Sequence, residues 1–169
     1  MLSLLIFLPI AVALLSFFIP SQARVFRALT IGTTVAQLII TILIWKQFDS
    51  AGSFQQIEKL PWINIEIGDW GNFTSWYWLG VDGLSLPMIF LSALVMVIAA
   101  LSSWNISQNT KGYHILFLIL NGAIMGTFAA MDTLLFFVFF EFMLIPMYFL
   151  IGIWGGPNRE YASIKFLLY

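Results

Sequence analysis

Residues 133–154 form a run of 22 residues in which Glu141 is the only charged side chain. About 20 consecutive apolar residues are what a helix needs to cross a hydrocarbon layer about 30 Å thick. Glu141 lies nine residues, or about 13 Å of helix, beyond Asp132, which brings its carboxyl group close to the middle of such a layer. An ionisable group there costs at least about 2.5–3.5 kcal/mol. We therefore expect Glu141 to have a function inside a protein interior or water-filled path, the alternative being a structural carboxyl tolerated in the packing.

The composition limits the chain to the membrane. Of its 169 residues, 61% are hydrophobic and only 9% are charged, whereas soluble domains carry about 25% charged residues. The net charge of −1 argues against nucleic-acid binding, which needs a basic surface. Without cysteine, and with His114 as its single histidine, the chain is expected to bind no metal, haem or iron–sulfur cluster. Any redox chemistry is therefore expected on other subunits.

The apolar runs predict an all-α, multi-pass helical bundle with five complete transmembrane helices. They cover residues 2–19, 28–45, 84–101, 113–130 and 133–154. A sixth helix begins at Arg159 and stops too soon to span, so we expect residues 1–169 to be the N-terminal part of one longer transmembrane domain. The first run could instead be a signal peptide, but Arg24 and Arg27 follow it and no basic residue precedes it, which favours a retained helix.

The loop charges predict the orientation. Lys and Arg in the first, third and fifth loops place those loops in the cytoplasm, and the N-terminus on the outer side of a bacterial plasma membrane. The second loop, residues 46–81, is the only sizeable extramembrane segment. Within it, Ile63–Ile67 alternates with period two, which predicts a short strand. The aromatic residues there predict an interfacial belt or, alternatively, a quinone or lipid groove; they are Trp62, Trp70, Trp76, Tyr77 and Trp78.

Nearby residues of the sequence could affect how Glu141 exchanges a proton. Tyr148 shares its helix face, and the other residues of that face are apolar and would keep water away from the carboxyl group. Pro146 has no N–H and leaves the carbonyl of Phe142 without its helical donor. That carbonyl could hold water and give Glu141 a proton route, or Pro146 could be a kink that serves packing alone. Lys165 is the one candidate cation partner in this chain, although a side chain that extends to the membrane surface, or a simple structural role, is the favoured interpretation.

The remaining polar residues have simpler interpretations. Asp82 and Asp132 each precede an apolar run and are predicted to be N-caps rather than part of an ion path. His114, close to Lys111, is predicted to lie at the membrane interface. Small residues in the fourth run, including Gly122 and Gly126, predict close approach of another helix.

Two segments resemble a known family. The Glu141 run, with the residues Asp132 to Phe137 and Phe140 to Ile151, is similar to the fifth helix of the antiporter-like subunits of respiratory NADH:quinone oxidoreductase (complex I). Asp82-Gly83-Leu84-Ser85 also fits that family. The residues after Glu141, together with Trp154-Gly155-Gly156 and Ala162 to Phe166, resemble its M-type branch more than its L and N types. The resemblance covers the whole chain and is strongest from Gly80 onward.

The resemblance implies a fourteen-helix fold with inverted repeats, and a Glu141 that pairs with a lysine on a later, broken helix. It implies a proton-translocating membrane-arm subunit whose partners are the other membrane-arm subunits, of the L and N types. NADH, flavin, iron–sulfur clusters and quinone would be bound by other subunits. The related alternatives are a multisubunit cation/proton antiporter, a membrane-bound hydrogenase or a non-catalytic membrane scaffold.

Overall fold

The described part of the protein is a bundle of six α-helices with a β-hairpin inserted between the second and third. The computed structural model describes residues 1–20, 22–49, 52, 54–66 and 72–168. The helices are α1 (Leu2–Ser16), α2 (Ala23–Lys46), α3 (Ser85–Ser102), α4 (Thr110–Ala129), α5 (Thr133–Trp154) and α6 (Arg159–Leu168). The strands are β1 (Gln55–Glu66) and β2 (Asn72–Val81). The helical prediction is thus confirmed for the bundle, while the sheet departs from an all-α protein.

Four helices of the described chain, α2 to α5, are long and apolar enough to cross a membrane. The bounds of α5 are those predicted from the sequence. The first predicted span, 2–19, is wrong at its end, because α1 stops at Ser16 and the chain turns over the next three residues. Its 15 residues measure about 22 Å, less than a hydrocarbon layer of about 30 Å. α6 is shorter still.

The second loop folds into an antiparallel hairpin. Residues 63–66 of the predicted strand lie in β1, and Ile67 and Trp70 lie outside the described residues. The partner strand β2 was not predicted. The C-terminal end of β2 enters the core, where Leu79 and Val81 are fully buried among residues of α1, α3 and α4. The hairpin therefore closes one end of the helix bundle rather than lying loosely outside it.

The two ends of the bundle differ in charge. At the first, which we call the hairpin end, the Glu58 carboxylate of β1 accepts hydrogen bonds from the ammonium group of Met1 and the backbone N–H groups of Leu2 and Ser3. At the second, which we call the cationic end, Lys111 donates to the carbonyl of Phe17 at 2.9 Å. The other cations of this end are Arg24, Arg27 and Arg159, at the starts of α2 and α6.

Two glycines of α4 allow the close helix approach that the sequence predicted. A Cβ on Gly122 would meet the carbonyl oxygen of Ile6 at 2.8 Å, so α1 packs directly on the backbone of α4. A Cβ on Gly126 would meet the ring of Phe139 at 2.5 Å. α1 and α5 therefore pack against α4, which is the central helix of the described bundle.

Candidate functional site

Glu141 lies on a face of α5 that the rest of the described chain leaves uncovered. α5 packs on α4 through a narrow stripe that includes Leu135 and Phe139. Glu141 is on the exposed side, flanked one turn away by Phe137 and Ile145, whose side chains are also exposed. It has no hydrogen-bonding or ion-pair partner among the described residues. In this chain alone the carboxyl group would thus face outward, near the middle of an apolar helix of 22 residues.

Pro146 lies inside α5, and the helix continues through it to Trp154. Its ring is buried, while the side chain of Phe142 is exposed. No side chain of the described residues donates to the carbonyl of Phe142, which Pro146 leaves without its usual backbone donor. The hydration of this carbonyl stays a prediction. Tyr148 is half-buried and packs edge-on against the ring of Phe149.

The structure does not bring Lys165 to Glu141. α6 folds back along α5, and a Cβ on Gly152 would lie 3.3 Å from the hydroxyl of Ser163. From that contact, the level of Lys165 remains about nine residues, or about 13 Å, away from the level of Glu141. The Nζ of Lys165 lies 5.7 Å from the ring centroid of Tyr161 on its own helix. A role of Lys165 as the cation that modulates Glu141 therefore stays an untested prediction, and this geometry does not support it.

Asp132 caps α5, as predicted, and also joins the hairpin to that helix. Its Oδ1 accepts from the backbone N–H groups of Leu134 at 2.9 Å and Leu135 at 3.2 Å. The same carboxylate accepts from the hydroxyl of Ser75 at 2.9 Å and from the backbone N–H of Trp76 at 3.3 Å. Burial raises the pKa of Asp132, but these hydrogen bonds outweigh it and hold the pKa below its ordinary value.

Asp82 begins α3 in a similar way. Its Oδ1 accepts from the backbone N–H groups of Leu84 at 3.1 Å and Ser85 at 2.7 Å, and the Ser85 hydroxyl accepts in return from the backbone N–H of Asp82. The N–H of Ser85 is the main cause that lowers the pKa of Asp82. The helix itself begins at Ser85, so Asp82 caps it from three residues upstream.

The side chain of His114 is only 1% exposed and lies between α4 and α2, and its predicted location at a membrane interface stays a prediction. Its Nδ1 makes a 3.0 Å hydrogen bond with the hydroxyl of Thr30. Two turns further along α4, the amide of Asn121 donates to the Oε1 of Gln37. Gln37 in turn donates to the carbonyl of Leu5 at 2.8 Å. These polar contacts were missed because they join residues about 84 and 32 positions apart in the sequence.

The position of Pro9 explains why the carbonyl of Leu5 accepts a hydrogen bond from Gln37. Pro9, four residues later in α1, has no N–H to offer it. Leu5 is fully buried, so its free carbonyl needs another hydrogen-bond donor. Gln37 supplies it. A proline within an apolar helix was therefore the sequence signal for this polar contact. Pro146 is the corresponding signal in α5.

Four apolar helices of spanning length define a multi-pass membrane protein, and one of them, α5, carries a carboxyl group near its middle. The family model described as NADH:quinone oxidoreductase/Mrp antiporter, transmembrane, matches residues 130–169. The chain is 41% identical, over 98% of its length, to NAD(P)H-quinone oxidoreductase chain 4 of Synechococcus elongatus, and it covers 30% of that protein. It is 35% identical to NADH-quinone oxidoreductase subunit M of Rhodobacter capsulatus, over its full length and 32% of the relative.

Solved structures give the same result. The whole chain superposes on 32% of a chain of respiratory complex I from Thermus thermophilus, with a TM-score of 0.79 and 26% identity. A chain of an archaeal membrane-bound sulfane sulfur reductase matches over 99% of this chain and 33% of its own length, with a TM-score of 0.73 and 25% identity. The chain is similar over its whole length to the antiporter-like membrane subunits of the complex I family. It spans about a third of the length of the curated relatives it matches.

Proposed function

We propose that this chain is part of a membrane-arm subunit of an NADH:quinone oxidoreductase, and that it couples NADH oxidation and quinone reduction to proton translocation. Glu141 would carry the proton. The observation that supports this is the position of its carboxyl group, at mid-depth of α5 and on a helix face that the described residues leave uncovered. Carboxyl groups at such depth are costly and characteristically belong to ion or proton paths.

The uncovered face requires a partner. A carboxyl group exposed to lipid would carry the full cost of its burial, so the rest of the full-length protein is expected to cover α5 with polar groups and water. By its resemblance to the family, that partner is a lysine on a later helix of a fourteen-helix fold. A carboxylate whose cation partner approaches and withdraws would release a proton and take one up again. Pro146 would aid this exchange by freeing the carbonyl of Phe142 as a water site next to Glu141.

The same proposal extends to the assembly. The chain would contact other membrane-arm subunits, including the L and N types, and the lipid bilayer. NADH, flavin, iron–sulfur clusters and quinone would be bound by other subunits, with no redox site on this chain. The cations Arg24, Arg27, Lys111 and Arg159 gather at one end of the bundle, which supports a cytoplasmic location for that end and an outer location for the N-terminus. We place the protein in a bacterial plasma membrane.

The proposal is tested by Glu141→Gln in the full-length subunit within its complex. The amide keeps the shape and hydrogen bonding of the side chain but cannot release a proton. NADH-driven proton uptake by inverted vesicles is expected to fall, since removing a proton-transfer group slows that step by about 10²-fold or more. NADH oxidation by an artificial acceptor should persist. The matched control is Glu160→Gln, an exposed carboxylate at the start of α6. Unchanged proton uptake in Glu141→Gln would overturn the role of Glu141.

A second function has specific support. The matching family model includes the transmembrane subunits of Mrp antiporters, and the archaeal sulfane sulfur reductase has a chain of the same fold. In a cation/proton antiporter or a hydrogenase-type complex, Glu141 would serve the same proton path without NADH. Vesicles that show sodium-driven proton movement and no NADH-linked uptake would favour this alternative.

A further inference from the structure

Unpartnered polar atoms are concentrated between α2 and α4. Among the described residues, four buried side-chain nitrogen or oxygen atoms lack a hydrogen-bond partner. Three of them belong to this seam: Nε of Arg27, Nε2 of His114 and Oδ1 of Asn121. The fourth, Nε1 of Trp78, belongs to the hairpin. A buried polar group without a partner is unfavourable, so three along one helix pair indicate a common missing ligand.

The two residues of α4 repeat one arrangement. His114 and Asn121 lie seven residues apart and therefore on the same helix face. Each uses one polar atom to bond α2, through Thr30 and Gln37 respectively, and each has its other polar atom free. Both side chains are at most 1% exposed. The free atoms are thus enclosed within the bundle, in the part of the protein that crosses the membrane.

The orientation of Asn121 follows from its neighbours. Pro9 leaves the carbonyl of Leu5 open, and only the NH₂ group of Gln37 can donate to it. The Oε1 of Gln37 must then face Asn121, which must present its own NH₂ group. The Oδ1 of Asn121 is therefore left as an acceptor, and its ligand has to be a hydrogen-bond donor.

The facing side of α2 is polar from Thr30 to Thr41. Its buried residues include Thr30, Thr34, Gln37 and Thr41, spaced by four, three and four residues, which is the repeat of one helix face. The hydroxyls of Thr34 and Thr41 donate to carbonyls of their own helix, and their oxygen atoms can still accept. Arg27 continues this face to the cationic end, where it donates to the carbonyl of Ile106 at 3.1 Å and stacks near Trp104.

We propose that the seam between α2 and α4 holds a file of ordered water molecules, bound at Nε of Arg27, Nε2 of His114 and Oδ1 of Asn121. The chemistry selects water over other ligands. Nε of Arg27 only donates, Oδ1 of Asn121 only accepts, and Nε2 of His114 does either according to its tautomer. A metal cation would meet the guanidinium charge of Arg27 and one neutral oxygen, and an anion would face Oδ1 of Asn121. Water both donates and accepts and can therefore bind all three atoms, as buried water in proteins does.

The file would reach far into the membrane. From Arg27 to Gln37 is ten residues, or about 15 Å of helix, half of a hydrocarbon layer of about 30 Å. It would lead from the cationic end to the depth of Asn121, which is within about one helical turn of the level of Glu141 on α5. The seam lies between α2 and α4, whereas Glu141 lies on the exposed face of α5. The file is therefore separate from the site proposed above.

The test is a cryo-electron microscopy map of the full-length protein in its complex, at a resolution that shows ordered water. We expect isolated density at about 2.7–3.2 Å from each of the three atoms. The proposal is overturned if protein side chains from elsewhere in the full chain bond these atoms, or if apolar atoms pack against them and no density is present.

Two variants sharpen the result. In Asn121→Leu the density nearest position 121 should disappear, because the acceptor is lost. In Asn121→Ser it should remain, because a hydroxyl accepts and the smaller side chain leaves more room. Density that remains in the leucine variant would contradict the assignment, and the wild-type map decides if either variant does not assemble. Water density is independent of proton pumping, so this test and the test of Glu141 fail separately.

Discussion

The carboxylate of Asp132 accepts a 2.9 Å hydrogen bond from the hydroxyl of Ser75, and this contact joins β2 to the start of α5. The same carboxylate caps the helix. Replacing Asp132 by Ala should therefore loosen two elements together, at a cost of about 1–2 kcal/mol for the cap alone. Hydrogen exchange of the full-length protein should become faster in both β2 and the first turn of α5.

Thr133→Ala is the control for that prediction. Thr133 follows Asp132, is exposed, and donates no side-chain hydrogen bond within the described chain. Its replacement should leave exchange in β2 unchanged. If Asp132→Ala speeds exchange in α5 but not in β2, the contact with Ser75 does not hold the hairpin.

The pKa of Asp82 predicts a pH dependence for the start of α3. Because the backbone N–H of Ser85 lowers that pKa from 3.8, the ionised form stabilises the folded protein. This contribution is complete above the unfolded value of 3.8 and is lost as pH falls through the lower folded value. Hydrogen exchange of the first turn of α3, followed from about pH 6 to about pH 3, should lose this protection at the acid end. Asp82→Asn should be less protected throughout and show a smaller acid loss; an equal acid loss would exclude Asp82 as its source.

Alanine in place of Gly122 and alanine in place of Gly32 should have opposite effects on the stability of the protein. A Cβ on Gly122 would come within 2.8 Å of the backbone carbonyl of Ile6, so Gly122→Ala should force α1 away from α4 and lower the thermal midpoint. A Cβ on Gly32 would meet nothing within 4 Å, and alanine there should stabilise α2 by about 0.5–1 kcal/mol. Equal midpoints for the two variants of the purified protein would contradict the packing of α1 on α4.

The contact between Gln37 and Leu5 predicts an interaction with Pro9. Gln37→Met should destabilise the protein by about 1–3 kcal/mol, because the carbonyl of Leu5 and the amide of Asn121 both lose their partner. With Pro9→Ala, the N–H of residue 9 can serve that carbonyl, and Gln37→Met should cost less in this background. A double-mutant cycle on the thermal unfolding of the full-length protein measures the difference. Additive effects would show that Pro9 does not create the need for Gln37.

The helices could be predicted because each apolar run reports the length that a bilayer requires. α5 has the predicted bounds, and α2 begins five residues before its predicted start because Arg24 and Arg27 are polar yet compatible with a helix. α1 is shorter than its apolar run, which includes Phe17 and Phe18 in the following turn. Hydropathy alone does not distinguish an apolar turn that follows a helix from a further turn of the helix itself.

The contacts between distant segments could not be predicted. β2 contains the continuous apolar stretch Trp76–Leu79 rather than an alternating pattern, so its pairing with β1 had no sequence signal. The burial of His114 depends on Thr30, on a helix that local sequence does not connect to it. Asp132 could be predicted as a cap, since its partners follow directly, whereas its bond to Ser75 could not. For Glu141, the sequence indicated an ionisable group in an apolar helix, and the described residues leave its helix face uncovered.

The number of protons translocated per NADH oxidised tests the central claim most directly, measured on the complex with the full-length subunit carrying Glu141→Gln or Glu141→Asp. If Glu141 carries protons, the ratio falls in the glutamine variant, which cannot ionise, and recovers at least in part in the aspartate variant, which can. A glutamine variant with the wild-type ratio would contradict the account, because no proton would then pass through this carboxyl group.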